Sequence, residues 1–176
     1  LFWGLIIAEF VLVFAISGAI NKMSITVATL LFVLYSVING ATLSVIFIAY
    51  TAESITNVFF ITAATFGTMS LIGYTTKTDL SSMGKYLMMA LIGVVIATIV
   101  NIFMGSSMLH MITSYVGVLV FVGLTAYDTQ KIKNLLMEAP DAGEHMHKIA
   151  LLGSLTLYLD FINLFIYLLR ILGDRK

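Results

Sequence analysis

The chain has no cysteine, a single proline and little charge: only 10% of its 176 residues are Asp, Glu, Lys or Arg. Without cysteine there is no disulfide framework, no thiolate nucleophile and no Cys-based zinc site. Soluble domains of this size carry about 25% charged residues, so the deficit argues against a water-solvated surface. Nine basic residues balance nine acidic ones, and no basic run exists that could neutralise a row of phosphates. Nucleic-acid binding therefore has no electrostatic basis. Rossmann and P-loop glycine patterns are also missing. What is abundant is apolar: 60% of the residues are hydrophobic, and the mean hydropathy is +1.06. This is the composition of a membrane protein.

A transmembrane helix needs about 20 mostly apolar residues, and the apolar runs are cut into pieces of that size. Six spans are expected, at Leu1 to Ile20, Thr26 to Tyr50, Ile55 to Thr76, Tyr86 to Met104, Met108 to Asp128 and Ile149 to Leu169. The runs are continuous rather than alternating, which points to helices and excludes a β-barrel. The fold class is thus an all-α membrane bundle forming one domain over residues 1–176. Polar stretches at Lys77 to Lys85 and Lys131 to Lys148 read as loops, the second carrying Pro140. Close helix packing is expected where small residues recur every fourth position: Ser36, Gly40 and Ser44, Ala63 and Gly67, and Gly93 and Ala97. Lys22, Lys77, Lys85, Lys131, Lys133 and Lys148 fall in one set of loops, which should face the cytoplasm. The C-terminus then lies outside if the last helix crosses fully.

An ionised side chain at mid-membrane costs about 2.5 to 3.5 kcal/mol on insertion scales, so acids inside spans need a reason. Three qualify: Glu9, Asp128 and Asp160. Asp160 shares a helical face with Gly153, Thr156, Asn163, Tyr167 and Arg170, spaced by steps of 3, 4, 3, 4 and 3. That stripe reads as a lined pathway or, alternatively, as a structural polar network between helices. Asp128 closes the fifth span, in line with Ser114, Gly117 and Thr125. Contact between Asp128 and Asp160 is geometrically possible, and two carboxyls meeting in a low-dielectric pocket would share a proton over some pH range. The competing reading leaves Asp128 as a surface carboxylate near Lys131. Glu9 is either protonated, paired across helices or facing a hydrated cavity. Lys22 reads as an interfacial topology charge and His110 as a structural histidine near the outer end of the fifth span. His145 and His147, with Asp141 and Glu144, form at best a weak metal cluster in a solvated loop.

The segments TAYDTQKIK (125–133), SLTLYLDFINLFIYLLRILG (154–173) and GYTTKTDLS (73–81) resemble the transmembrane Bax inhibitor motif family, particularly its bacterial members. The resemblance covers all six spans, and since family members have seven, it implies that one precedes this chain. It further implies a Ca²⁺ leak gated by paired aspartates acting as a pH-sensitive latch, with Asp128 and Asp160 at those positions and Glu9 at an acidic position of the ion path. Arg170 matches a basic residue of the last helix, which is expected near the bundle centre. A family arginine that contacts the latch aligns near Ile20, leaving Lys22 as its substitute, a point charge without a guanidinium fork.

The expectation is therefore a pH-regulated Ca²⁺ leak in a bacterial inner membrane, with no cofactor. Asp128 and Asp160 form the latch and a weak Ca²⁺ site, Glu9, Asn163 and Thr156 line the path, and Arg170, Lys22 and Tyr167 support gating. Three scattered acids cannot supply the six to eight oxygens of a tight Ca²⁺ site, and weak binding suits conduction. Two alternatives belong to other classes. A membrane-embedded regulator would bind proteases or cell-death proteins, docking through residues 134–147. An intramembrane aspartyl protease also uses two membrane aspartates, but its Gly-x-Gly-Asp motif is replaced here by Leu157, Tyr158 and Leu159 before Asp160. An enzyme is not expected.

Overall fold

The computed structural model describes residues 2–139 and 143–176, with side chains described at all of these except 2–8, 10 and 21. Pro140 and Asp141, one member of the weak metal cluster weighed above, lie outside the described residues. Helix α1 (Phe2–Ala19) leads through a 3₁₀ turn (Ile20–Lys22) into α2 (Ile25–Leu43) and the short α3 (Ile46–Ala49). Four long helices follow: α4 (Ala52–Thr75), α5 (Ser81–Met104), α6 (Ser107–Glu138) and α7 (Glu144–Leu172). α2 with α3, and each of α4 to α7, is long and apolar enough to cross a membrane. α1 adds an apolar helix of 18 residues, close to the spanning length.

The starts of α2, α4 and α6 carry hydroxyl caps, each satisfying an N–H that has no partner inside the helix. Val27 N donates to Ser24 Oγ at 3.4 Å, Ser54 N to Thr51 Oγ1 at 3.2 Å, and Leu109 N to Ser106 Oγ at 3.2 Å. Gly105 ends α5 at φ +61°, a left-handed conformation that glycine adopts without a Cβ penalty. Two expected loops are largely helical. α5 starts at Ser81 rather than Tyr86, and α6 continues past Asp128 to Glu138, while α7 already begins at Glu144. Polarity ended the membrane span in these stretches but not the helix, because Gln, Lys, Leu, Met and Glu are good helix formers. Most of the expected docking segment 134–147 is consequently helix.

α6 and α7 pack against each other along the bundle centre. α4 and α5 lie against α6, and the α1–α2 pair lies against α7. Outward faces are apolar, as on α5, where Met89, Ile96 and Phe103 are all exposed. Such faces suit lipid, so cohesion must come from close packing rather than from the hydrophobic effect. The tight approaches are not those read from the sequence. Gly40, Gly67 and Gly93 have open space where a Cβ would sit, whereas Gly73 lies against the Ala126 backbone, Gly84 against Tyr127, Gly117 against Tyr167 and Gly153 against Ile132. Four-residue spacing marks a face narrow enough to pack, but which face meets a neighbour depends on the whole bundle.

α7 crosses fully. Its start lies beside the start of α2, where the Ile25 N–H reaches the Glu144 carboxylate. Its far end meets the α3–α4 junction, where Thr51 N donates to Asp174 O and Lys176 N to Ala49 O, both at 3.1 Å. If the lysine-rich loops face the cytoplasm, as expected from their charge, the C-terminal tail lies on the opposite side.

Candidate functional site

Asp128 and Asp160 are both buried, at 8% and 4% exposure. α6 and α7 deliver them to one point on the seam, where the two carboxyl groups lie close enough to act on each other. Asp160 Oδ2 is buried without a hydrogen-bond partner. Two ionised carboxylates at such range repel strongly in a low dielectric, and a proton held between them turns repulsion into a hydrogen bond. Around Asp128 the α6 backbone is consolidated by Thr125 Oγ1 donating to Phe121 O and Thr129 Oγ1 to Thr125 O, both at 2.7 Å. The cation whose field reaches Asp128 is Lys131, one turn further on, with its ammonium 5.8 Å from the Tyr127 ring centre. Lys22, the expected stand-in for the family arginine, is exposed and is not among the groups that act on Asp128.

The stripe on α7 is the seam with α6 along most of its length. Gly153 meets Ile132 and Tyr167 covers Gly117, while the Tyr167 ring stacks on Phe121 at 5.9 Å. Arg170 lies 5.2 Å from the Tyr167 ring centre and borders a cavity at the outer end. Thr156 and Asn163 are half-buried and turn back onto their own helix: Thr156 Oγ1 donates to Leu152 O at 3.0 Å, and Asn163 Nδ2 to Leu159 O at 2.8 Å.

Glu9 belongs to a second polar group on the other side of α7. Asn39 Nδ2 donates to Glu9 Oε2 at 3.4 Å, and Tyr158 Oη donates to Asn39 Oδ1 at 3.0 Å. Glu9 Oε1 is buried without a partner, and Tyr35 packs edge-on against Tyr158 with ring centres 6.1 Å apart. Tyr158 precedes Asp160 by two residues, which is about 200° around a helix. Glu9 therefore reaches α7 but not the aspartate pair. Sequence reasoning missed Asn39 and Tyr158, although a lone Asn in the apolar run of α2 was a usable signal. It also missed Gln130, buried at 7% exposure. Its amide accepts from Leu80 N at 2.9 Å and donates to Thr78 O at 2.8 Å, pinning the α4–α5 turn onto α6. Glu144 pairs with Lys148 at 3.0 Å, and among the described residues no cluster of three metal-ligating side chains forms.

All of residues 1–176 match the family described as inhibitor of apoptosis-promoting Bax1. The chain belongs to the Bax inhibitor motif family. Relatives agree with that membership: the Escherichia coli K12 inner membrane protein YbhL is 55% identical over 175 residues, covering 98% of this chain and 74% of YbhL. A Borreliella burgdorferi protein is 53% identical, covering 99% of this chain and 75% of its own length. A Streptococcus pyogenes membrane protein, M6_Spy0327, is 44% identical over 98% of this chain and 74% of the relative. The family member described here is accordingly a multi-pass, all-α inner-membrane protein, and neither the family description nor these names denotes an enzyme.

Proposed function

We propose that this Bax inhibitor motif protein is a pH-sensitive Ca²⁺ leak whose gate is the Asp128–Asp160 pair. The observation that supports the reading is the closeness of two buried carboxyls across the α6–α7 seam, one oxygen of which has no hydrogen-bond partner. With a shared proton the pair ties the two central helices together. When both carboxyls ionise, repulsion in a low dielectric drives them apart, and the α6–α7 seam loosens. Glu9, across α7, offers an oxygen without a donor to a passing cation, and Asn163 and Thr156 border the route. Two carboxylates with few added oxygens make a weak Ca²⁺ site, as transit requires. Tyr167 and Arg170 support the gate by holding the outer half of the seam.

Catalysis is the weaker reading, because the residues before Asp160 are bulky and apolar rather than the glycines that let a peptide approach a protease aspartate. The test is Ca²⁺ flux into dye-loaded liposomes between about pH 5 and pH 9, a range spanning ordinary and buried carboxyls. The intact protein should change its flux across this window, and Asp128→Asn or Asp160→Asn should flatten the response. Both single variants retaining the parental pH dependence would overturn the gate.

A further inference from the structure

The ends of α5 and α7 and the start of α6 border an open cavity of about 520 Å³ whose polar wall includes Asn101, Ser106, Ser107, His110, Arg170 and Arg175. Small-molecule sites have volumes of about 300–1,000 Å³, so this one is large enough for a ligand. Among the described residues no carboxylate lines it, and the single salt bridge, Lys148 with Glu144, is at the opposite end of α7. Arg170 rests 5.2 Å from the Tyr167 ring centre and Arg175 5.9 Å from that of Tyr50. These rings orient the guanidinium groups but leave their charge uncompensated. His110 lies within electrostatic range of both arginines. The acid nearest in sequence, Asp174, is turned to Ser54, whose hydroxyl donates to Asp174 Oδ2 at 3.4 Å.

Two further features point to the occupant. Ser106 and Ser107 begin α6, a helix of 32 residues, whose N-terminal N–H groups add positive potential to the same wall. Met111 and Tyr115, also on the wall, are 56% and 53% exposed, so an apolar rim that suits acyl chains adjoins the polar wall. We propose that this cavity binds a phosphoryl oxyanion, held by the Arg170 and Arg175 forks with hydroxyl donors from Ser106 and Ser107. Guanidinium forks match phosphate oxygens two at a time, which a lysine pair cannot do. The phosphate can belong to a phospholipid headgroup lying at the rim or to a free ion. This site is independent of the leak reading, since it is defined by binding alone.

The experiment is a thermal-shift titration of the full chain in neutral detergent at constant ionic strength, with three probes: dihexanoylphosphatidylglycerol, inorganic phosphate and dihexanoylglycerol, which lacks phosphate. Parental protein should respond to a phosphate-bearing probe at a concentration about tenfold lower than the Arg170→Gln/Arg175→Gln variant does. A response to the phospholipid alone makes the occupant a headgroup, and an equal response to inorganic phosphate makes it a free oxyanion. Arg175→Gln alone, at an exposed tail position, serves if the double variant does not fold, and Arg170→Lys/Arg175→Lys should bind more weakly than parent. Equal responses of parent and Gln variants to every probe, or a response to dihexanoylglycerol matching that to the phospholipid, would overturn the proposal.

Discussion

Glu9→Gln removes the titratable carboxyl from the α1–α2–α7 polar group while keeping an acceptor for Asn39 Nδ2. The expected result in liposomes is a Ca²⁺ flux lowered several-fold with its pH dependence intact, because Glu9 and the aspartate pair lie on different sides of α7. Loss of the pH response in this variant would show that the two groups act as one. Tyr158→Phe leaves Asn39 Oδ1 without its donor and should cost about 1 kcal/mol of unfolding free energy, read by denaturation in mild detergent. Asp79 lies outside the membrane, and the Ser81 hydroxyl and the Ser81 N–H, the latter at 2.9 Å, hold its carboxyl below the usual range. A depressed carboxylate contributes stability that is fully present above its unfolded value, about pH 3.9, and is lost as pH falls through the folded one. Asp79 therefore contributes no pH dependence near neutrality, and a carboxyl ¹³C titration should place its midpoint below about 4. A midpoint near neutrality would contradict this and offer a rival pH sensor.

Between helices, the glycines separate cleanly. Gly73→Ala drives a Cβ into the Ala126 backbone, which cannot give way as a side-chain tip can, and should destabilise by about 1–3 kcal/mol. Gly93→Ala meets open space and should be neutral or stabilising by up to about 1 kcal/mol through reduced freedom of the unfolded chain. Equal effects in detergent denaturation would mean that α4 and α6 do not approach as described. The same contrast explains what the sequence could disclose. Six apolar runs disclosed six helical segments, the second of which is broken into α2 and α3, and the step pattern of Gly153, Asp160 and Tyr167 disclosed one face of α7, since both are local periodicities. The glycines that meet a neighbour were illegible because four-residue spacing is equally good on a lipid-facing side. Residues 81–85 and 131–138 were misread as loops because hydropathy reports on surroundings while helix propensity reports on the backbone, and the two part company at a membrane boundary. Asp128 meeting Asp160 was open in the sequence, since helix phase fixes a residue's angle but not its height against the next helix.

Across the whole molecule, lysine-rich turns at one end and an arginine-rich cavity at the other give the bundle two unlike faces. The absence of cysteine makes the orientation directly testable. Ser107→Cys at the start of α6 should react with an impermeant maleimide from outside intact cells, whereas Met137→Cys near its end should react only after permeabilisation. The reverse pattern would invert the bundle. Through the interior runs the α6–α7 seam, and the central claim is that its two aspartates hold one proton jointly. Infrared difference spectroscopy tests it most directly, in the Glu9→Gln background so that the titrating membrane acids are Asp128 and Asp160. Raising the pH from about 5 to about 9, a range spanning ordinary and buried carboxyls, should remove one carboxylic-acid carbonyl band. Asp128→Asn and Asp160→Asn should each shift its frequency and midpoint, because the remaining acid has lost its partner. Two aspartate bands that titrate separately, each unmoved by substitution of the other, would contradict a shared proton.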